Sequence, residues 1–507
     1  MKIIIKTLRD NVYIQLTALT LLFLFLLFSG CAPTSGNNDG QGEIEVPAEP
    51  EPEPDPEEEP LDAETKLLND TFRIDIETID VIFDYRPEEA GVDCRATVVF
   101  KMRPGQDRAI IHLTPAERDP DTVSEILLNG ERLDITDFAD VRLIGDVLAG
   151  QRAFEFQRVL AEEVQHTLEI SYHLSGNVVM PEFMTDVYDP GGFGNERIFP
   201  TINTPHELAR HTLTFRVHDR KPYRCIGSGL VVRNEASQVQ EWKLDTEREI
   251  ASYTIMFVVA EEEDTVYAEQ TVAGVDVRVM GYTNGPDIDV VFPILENWLP
   301  ELNTNLGPFP MPRGLSLFIT RMGGGMEYYG ASITSINALE HEVFHMYYAC
   351  STVNKTYRDS WLDESITVWY ARSKSPEFLA IEENYTSDIV SGRTPVSLGF
   401  DMRAYSDGAR IMQAVAVELG GRQQMVDFLS YLYTNYAFKP FTTREFLDYL
   451  DEYSGVDMRE RFDGWVYSVE PVSSAVSGQS APVEVKERVN TTPPPGILEK
   501  RTLRKQK

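Results

Sequence analysis

Positive charge is what this chain lacks most: 46 Lys and Arg stand against 81 Asp and Glu, a formal net charge of −35 over 507 residues. Such a balance argues against nucleic acid and anionic lipid as partners, while saying little about fold. The deficit is uneven, for residues 39–64 hold twelve acids and no base, interleaved with proline in Glu49-Pro50-Glu51-Pro52-Glu53-Pro54-Asp55-Pro56. Like charges repel and proline favours extended backbone, so this stretch cannot build a core. Cysteine and histidine are also scarce, four and eight in the whole chain. Gly323-Gly324-Gly325 is not followed by the Lys-Ser/Thr that a phosphate cradle needs, and no internal repeat is present.

A long apolar run occurs at the start. Lys2, Lys6 and Arg9 precede residues 12–28, which are nearly free of polar side chains and lead into Phe28-Ser29-Gly30-Cys31. This resembles a bacterial lipoprotein signal, although Phe28 stands where that pattern more often has Leu; an uncleaved membrane anchor is the alternative. Residues 1–30 are expected to direct export and be removed, with Cys31 carrying the lipid that anchors the protein to a membrane at the bacterial cell envelope. Residues 31–65 are then an acidic tether and 471–507, with Pro493-Pro494-Pro495, a flexible tail. An exported compartment permits a disulfide between Cys94 and Cys225, but sequence does not establish their proximity. Cys350 reads as a small buried apolar residue.

Against the scarcity of histidine, His341-Glu342-Val343-Phe344-His345 stands out, with eighteen residues between His345 and Glu364. On a helix, residues four apart are separated by about 40° in azimuth and roughly 6 Å along the axis. Two imidazoles can therefore converge on one ion with Glu342 to the side. His341, His345 and Glu364 are the candidate ligands of a single Zn²⁺, and Glu342 is the candidate base. The alternative is a charged helix face; a chance match to this pattern is expected in roughly one such chain in a hundred before Glu364 is counted.

The remaining pattern predicts an α+β chain. Short alternating runs at 73–83, 96–101, 166–173, 211–217 and 252–259 read as strands of a saddle- or sandwich-like β domain spanning 66–265, with Asn129-Gly130 as a hairpin turn. A mainly helical zinc catalytic domain is expected over 266–470. Helices are predicted at 335–349, 359–371 and 423–433. Ala409, Met412, Val415 and Leu419 recur at helical spacing before Gly420-Gly421, and Thr442 with Glu445 forms a capping box.

With these residues assembled, the chain resembles the membrane alanyl aminopeptidase family, gluzincin peptidases with a thermolysin-like catalytic domain behind a β-saddle. Gly324-Gly325-Met326-Glu327 is similar to the family's exopeptidase motif, and Trp361-Leu362-Asp363-Glu364 to the segment bearing the third ligand. Tyr405-Ser406-Asp407-Gly408-Ala409 resembles the segment bearing the catalytic tyrosine, and Leu306-Gly307-Pro308-Phe309-Pro310-Met311-Pro312 the turn entering the catalytic domain. The likeness runs over 66–467, more marked in the second half. It implies peptide substrates, Glu327 as the group that pairs with a substrate's α-ammonium, and Tyr405 as a donor to the oxyanion. Tyr328, Asp363 and Ser365 stand where the family prefers Asn, Asn and Gly, and Phe344 replaces a small residue. The chain ends soon after Trp465, so the resemblance is to a short form without the large C-terminal helical domain, and a more open cleft is expected. An endopeptidase with the same chemistry and a non-catalytic surface-binding lipoprotein are the competing readings. Side-chain preference and oligomeric state are not legible.

Overall fold

The computed structural model describes residues 63–467, apart from 87, 89–90, 113–122, 135–137, 142–152, 176–182, 185–194, 203, 322, 376–386, 388 and 391–401. The expected signal segment, Cys31, most of the tether and the tail lie outside the described residues. No helix among the described residues is long and apolar enough to cross a membrane.

The chain enters through helix α1 (Ala63–Phe72), which begins inside the stretch assigned to the tether; Glu64 there binds Arg358 at 2.7 Å. The β-rich part follows: β1 (Ile74–Arg86), β2 (Gly91–Met102), β3 (Ile110–His112), β4 (Val123–Leu128), β5 (Glu131–Arg132), β6 (Phe138–Val141), β7 (Ala153–Phe156), β8 (His166–Ser175), β9 (Phe183–Met184), β10 (Leu208–Val217), β11 (Tyr223–Gly227), β12 (Leu230–Arg233), β13 (Gln240–Ala251) and β14 (Phe257–Glu261). Eight of these form one sheet in the order β12-β13-β10-β1-β2-β8-β4-β5, with β1 and β10 parallel. Two three-stranded sheets, β11-β14-β9 and β3-β7-β6, accompany it.

Period-two alternation builds the large sheet. In β1 the buried positions are Ile74 and Ile76, then Ile79, Val81, Phe83 and Tyr85, and the change of parity falls at the register shift between Ile76 and Thr78. A bulge there inserts one residue and keeps the apolar side chains on one face. The Asn129-Gly130 turn lies between β4 and β5, both residues with positive φ, 53° and 77°. The predicted strand at 252–259 starts late, because Ser252–Thr254 is a 3-10 turn. Cys94 and Cys225 are both buried and free, so the permitted disulfide is not formed.

The second part opens with a five-stranded sheet, order β15-β16-β17-β19-β18, from β15 (Thr265–Val272), β16 (Val275–Tyr282), β17 (Leu315–Ile319), β18 (Gly325–Tyr328) and β19 (Ala331–Thr334). All five residues of β17 are buried, as expected of a parallel strand covered on both faces. Helices follow: α2 (Val291–Asn305), inserted between β16 and β17, then α3 (Leu339–Phe344), α4 (Trp361–Arg372), α5 (Asp407–Glu418), α6 (Arg422–Tyr436), α7 (Thr443–Ser454) and α8 (Arg459–Val466). The Thr442–Glu445 capping box starts α7, and Gly455 at φ 69° ends it. Helix α4 is buried on nearly every side and is the central helix of this part.

Candidate active site

The zinc helix is shorter than its sequence predicts. Instead of running over 335–349, it has a 3-10 turn at Ile336–Ala338, α-helix over Leu339–Phe344, and tightened turns beyond. The cause lies at His345, whose Nδ1 is 2.9 Å from the Tyr348 carbonyl. Turning that carbonyl back requires the chain to leave the helix, and Ala349 takes a φ of 146°.

This bond also sets the chemistry of the ring. Nδ1–H donates to the carbonyl, so the Nε2 lone pair of neutral His345 points the other way. It points at His341 Nε2, 3.1 Å distant, and Glu364 Oε2, 3.5 Å distant. His341 Nε2 lies 3.1 Å from the same Glu364 oxygen. The three atoms all fall within 4.8 Å of one another. Glu364 Oε2 is buried and has no hydrogen-bond partner. Convergent lone pairs around an orphaned carboxylate oxygen are costly unless a cation occupies the space between them, and two imidazoles with one carboxylate are a donor set that fits zinc. Burial works to raise the Glu364 carboxyl, but His345 and His341 hold it well below the usual carboxylate range.

Helix α4 brings Glu364 to the site and also contributes a partner that the sequence did not disclose. Thr367, one turn on, places its hydroxyl 3.3 Å from His345 Nδ1 and donates to the Asp363 carbonyl at 2.7 Å. Asp363 itself accepts from Asn354 Nδ2 at 2.8 Å and from the Glu364 backbone N–H at 2.6 Å. Ser365, in place of the family's Gly, fits because α5 offers Gly408 opposite: a Cβ there would lie 1.8 Å from Ser365 Oγ.

Glu342 is 4 % exposed and sits beside the ligand atoms. Together with Glu327 and His345 it forms a second group whose ligand atoms all lie within 4.8 Å of one another. Burial raises Glu342 well above the ordinary carboxyl value, with Glu327 and Glu364 adding to the effect and His345 opposing it. Glu327, half-buried, is raised by burial and by Glu364 against the pull of His345. It belongs to β18, the edge strand. On that strand a Cβ at Gly325 would stand 2.6 Å from Glu342 Cγ, so only glycine lets the strand and Glu342 approach this closely. Gly324, at φ 97°, accepts from Ser335 N–H at 2.9 Å, and the Met326 carbonyl accepts from Ser332 at 2.9 Å. These bonds fix the strand against β19.

Tyr405 closes the far side. Its hydroxyl donates to Glu364 Oε1 at 2.5 Å, and its ring stands 6.1 Å from that of His341. Burial, reinforced by the Glu364 charge, pushes the phenol far above its ordinary value, so it remains a donor. The structure thus gathers His341, His345, Glu364, Glu342, Glu327 and Tyr405 in one cleft, with Gly324, Gly325 and Met326 along its rim.

No family model and no curated protein matches the chain by sequence. Solved structures match it in fold. An M1 zinc metallopeptidase from Deinococcus radiodurans superposes with a TM-score of 0.57 at 16% identity, covering 80% of this chain and 97% of that one. Aminopeptidase A of Legionella pneumophila, in complex with aspartic acid, gives 0.63 at 12% identity over 78% of this chain and 49% of its own. Yeast LTA4 hydrolase gives 0.58 at 14% identity, over 78% and 68%. The chain therefore has the fold of the M1 zinc metallopeptidases. Within that fold, the likeness to the Deinococcus protein extends over nearly the whole of the latter's length.

Proposed function

We propose that this protein is a zinc-dependent aminopeptidase, with a thermolysin-like catalytic unit, that removes N-terminal residues from peptides at the bacterial cell envelope. The observation that carries the reading is the convergence of His341 Nε2, His345 Nε2 and the unpartnered Glu364 Oε2 beside two further buried acids. When bound there, zinc supplies a Lewis acid that polarises a carbonyl and lowers the pKa of water.

The chain's own groups do the rest. Glu342 takes the proton of the attacking water and delivers it to the leaving amine nitrogen. His341, His345 and Glu364 would hold the ion beside Glu342, and its charge would favour the carboxylate form of Glu342 that the first step needs. Tyr405, held protonated, donates to the oxygen on which negative charge builds. Glu327 pairs with the free α-ammonium and so places the first peptide bond at the reacting centre. Strand β18 lies at the end of its sheet order, and its outer edge can receive the substrate backbone as an added strand. His345 stays in one tautomer through Tyr348. Lipidation at Cys31 and the acidic segment after it would hold this cleft off the membrane surface, within reach of exported peptides.

The test compares a free-amine peptide with its N-acetylated counterpart, with and without chelator. Chelator-sensitive hydrolysis of the free-amine form alone is expected. Equal cleavage of both forms would indicate an endopeptidase, and no hydrolysis of either with metal bound would favour a binding protein.

A further inference from the structure

The ring of His345 is held from two sides. Its Nδ1 lies 2.9 Å from the Tyr348 carbonyl, which belongs to the same segment of chain, and 3.3 Å from Thr367 Oγ1, on the helix that carries Glu364. His345 and Thr367 are 0 % and 1 % exposed, so the contact between them is shielded from solvent. The direction of each bond follows from the chemistry of the partners. A carbonyl only accepts, so the Tyr348 contact requires a proton on Nδ1. The Thr367 hydroxyl has one proton, and it goes to the Asp363 carbonyl at 2.7 Å. What faces His345 is therefore an oxygen lone pair, and the Nδ1–H is shared between two acceptors.

Threonine inside a helix commonly bonds the carbonyl four residues back. Thr367 does so in the orientation that leaves its free lone pair toward His345. The carbonyl it uses is part of the peptide unit joining Asp363 to Glu364, and that residue is itself fastened: the Asp363 carboxylate accepts from Asn354 Nδ2 at 2.8 Å and from the Glu364 N–H at 2.6 Å. One buried hydroxyl thus connects the backbone beside the carboxylate ligand to the ring of an imidazole ligand. The facing atoms of those two ligands, Glu364 Oε2 and His345 Nε2, lie 3.5 Å apart. Ile366, Val368 and Trp369 around Thr367 are buried apolar residues, so packing alone gives no reason for an oxygen here.

We propose that Thr367 is a positioning residue of the metal centre: as the second acceptor of the His345 Nδ1–H it limits the swing of the ring, keeps Nε2 opposite Glu364 Oε2 before an ion arrives, and so raises the affinity for zinc. Partners of this kind, bonded to a ligand rather than to the metal, orient the ligand and strengthen binding. The inference rests on the zinc-peptidase reading and concerns its metal centre, not the choice of substrate.

The test measures the zinc dissociation constants of the full-length wild type, Thr367→Val and Thr367→Ser by competition with a chromophoric chelator, beside the melting temperature of each metal-free protein. Valine keeps the shape of threonine and removes the hydroxyl, while the Nδ1–H retains the Tyr348 carbonyl; serine keeps the hydroxyl and removes the methyl. Thr367→Val is expected to weaken zinc about tenfold, and Thr367→Ser to stay within about twofold of the wild type. The metal-free melting temperatures should agree within about 2 °C. Wild-type affinity in Thr367→Val overturns this inference alone. Equal weakening in both variants does the same, since the methyl would then be the group that matters. Weakening in Thr367→Val that comes with a metal-free melting temperature lower by more than about 5 °C also overturns it, as a general loosening of the fold. If Thr367→Val does not fold, Thr367→Ser carries the test, and a tenfold loss there overturns the inference. A wild-type protein that binds no zinc overturns the zinc-peptidase reading and this inference together.

Discussion

Two buried histidine clusters lie in this protein, and they are driven in opposite directions. In the β-rich part, His112 and His211 are fully buried and their pKa values are pushed down to about 4 and about 3, burial being the leading cause in each. His206, half-buried and close to His211 in sequence, goes down to about 3 through burial, Arg103 and Lys355. In the catalytic part, burial also opposes charge on His345, yet the carboxylates of Glu327, Glu364 and Glu342 raise it well above the usual imidazole value. Burial alone makes an inert core histidine. Burial in the company of carboxylates makes a place for a cation, and the two clusters differ in company far more than in depth.

The largest expected effect breaks the comparison on the catalytic side. Glu342→Gln should lower kcat/KM by about 10³-fold while zinc content stays at one per chain; undiminished hydrolysis would remove Glu342 from the mechanism. Next, Tyr405→Phe should cost about 10²-fold in kcat with zinc retained, and steady-state kinetics showing wild-type turnover would reassign that ring to packing.

Smaller effects probe what each cluster contributes to stability. Metal bound only by the folded state stabilises it by about 2.7 kcal/mol at a hundredfold excess over its dissociation constant. Chelation should therefore lower the melting temperature of the wild type and leave His345→Ala unchanged. His211→Phe should do the reverse: a loss of about 1–3 kcal/mol in denaturant unfolding from the broken buried hydrogen bond between His211 Nε2 and Ser252 Oγ, with zinc content intact. If His211→Phe loses zinc, the two clusters are not separable.

The last effect is in pH, and it is read as the change of slope that one histidine makes. His112, His206 and His211 have folded pKa values below the ordinary 6.5, so the unfolded chain binds more protons as pH falls. Their stabilising contribution is present in full above about pH 6.5 and is lost toward pH 4, at about 1.4 kcal/mol per pH unit for each. Glu207 acts with the opposite sign, since burial raises it to about 7 against the pull of Arg103, and it offsets one of the three between its ordinary value and pH 7. Denaturant unfolding from pH 7 to 5 should show falling stability, with a shallower slope in His211→Phe. A slope unchanged by that substitution would contradict the assignment.

The convergence of His341, His345 and Glu364 was legible because metal chemistry demands fixed residue types at fixed spacing, and the helices at α4–α7 because their apolar periods and caps are local. The end of the zinc helix was not legible: it depends on the Tyr348 carbonyl turning back to His345, a contact that no propensity encodes. Thr367 was missed. Thr367 carried a usable signal, lying one turn beyond Glu364 on the same helix face. The Cys94–Cys225 pairing was equally a question of distance, which spacing along a chain cannot answer.

Diffraction at the zinc absorption edge from crystals of the purified protein tests the account most directly. One anomalous peak bounded by His341 Nε2, His345 Nε2 and Glu364 Oε2 is expected. Crystals grown in the presence of zinc that show no peak at those three atoms would contradict it.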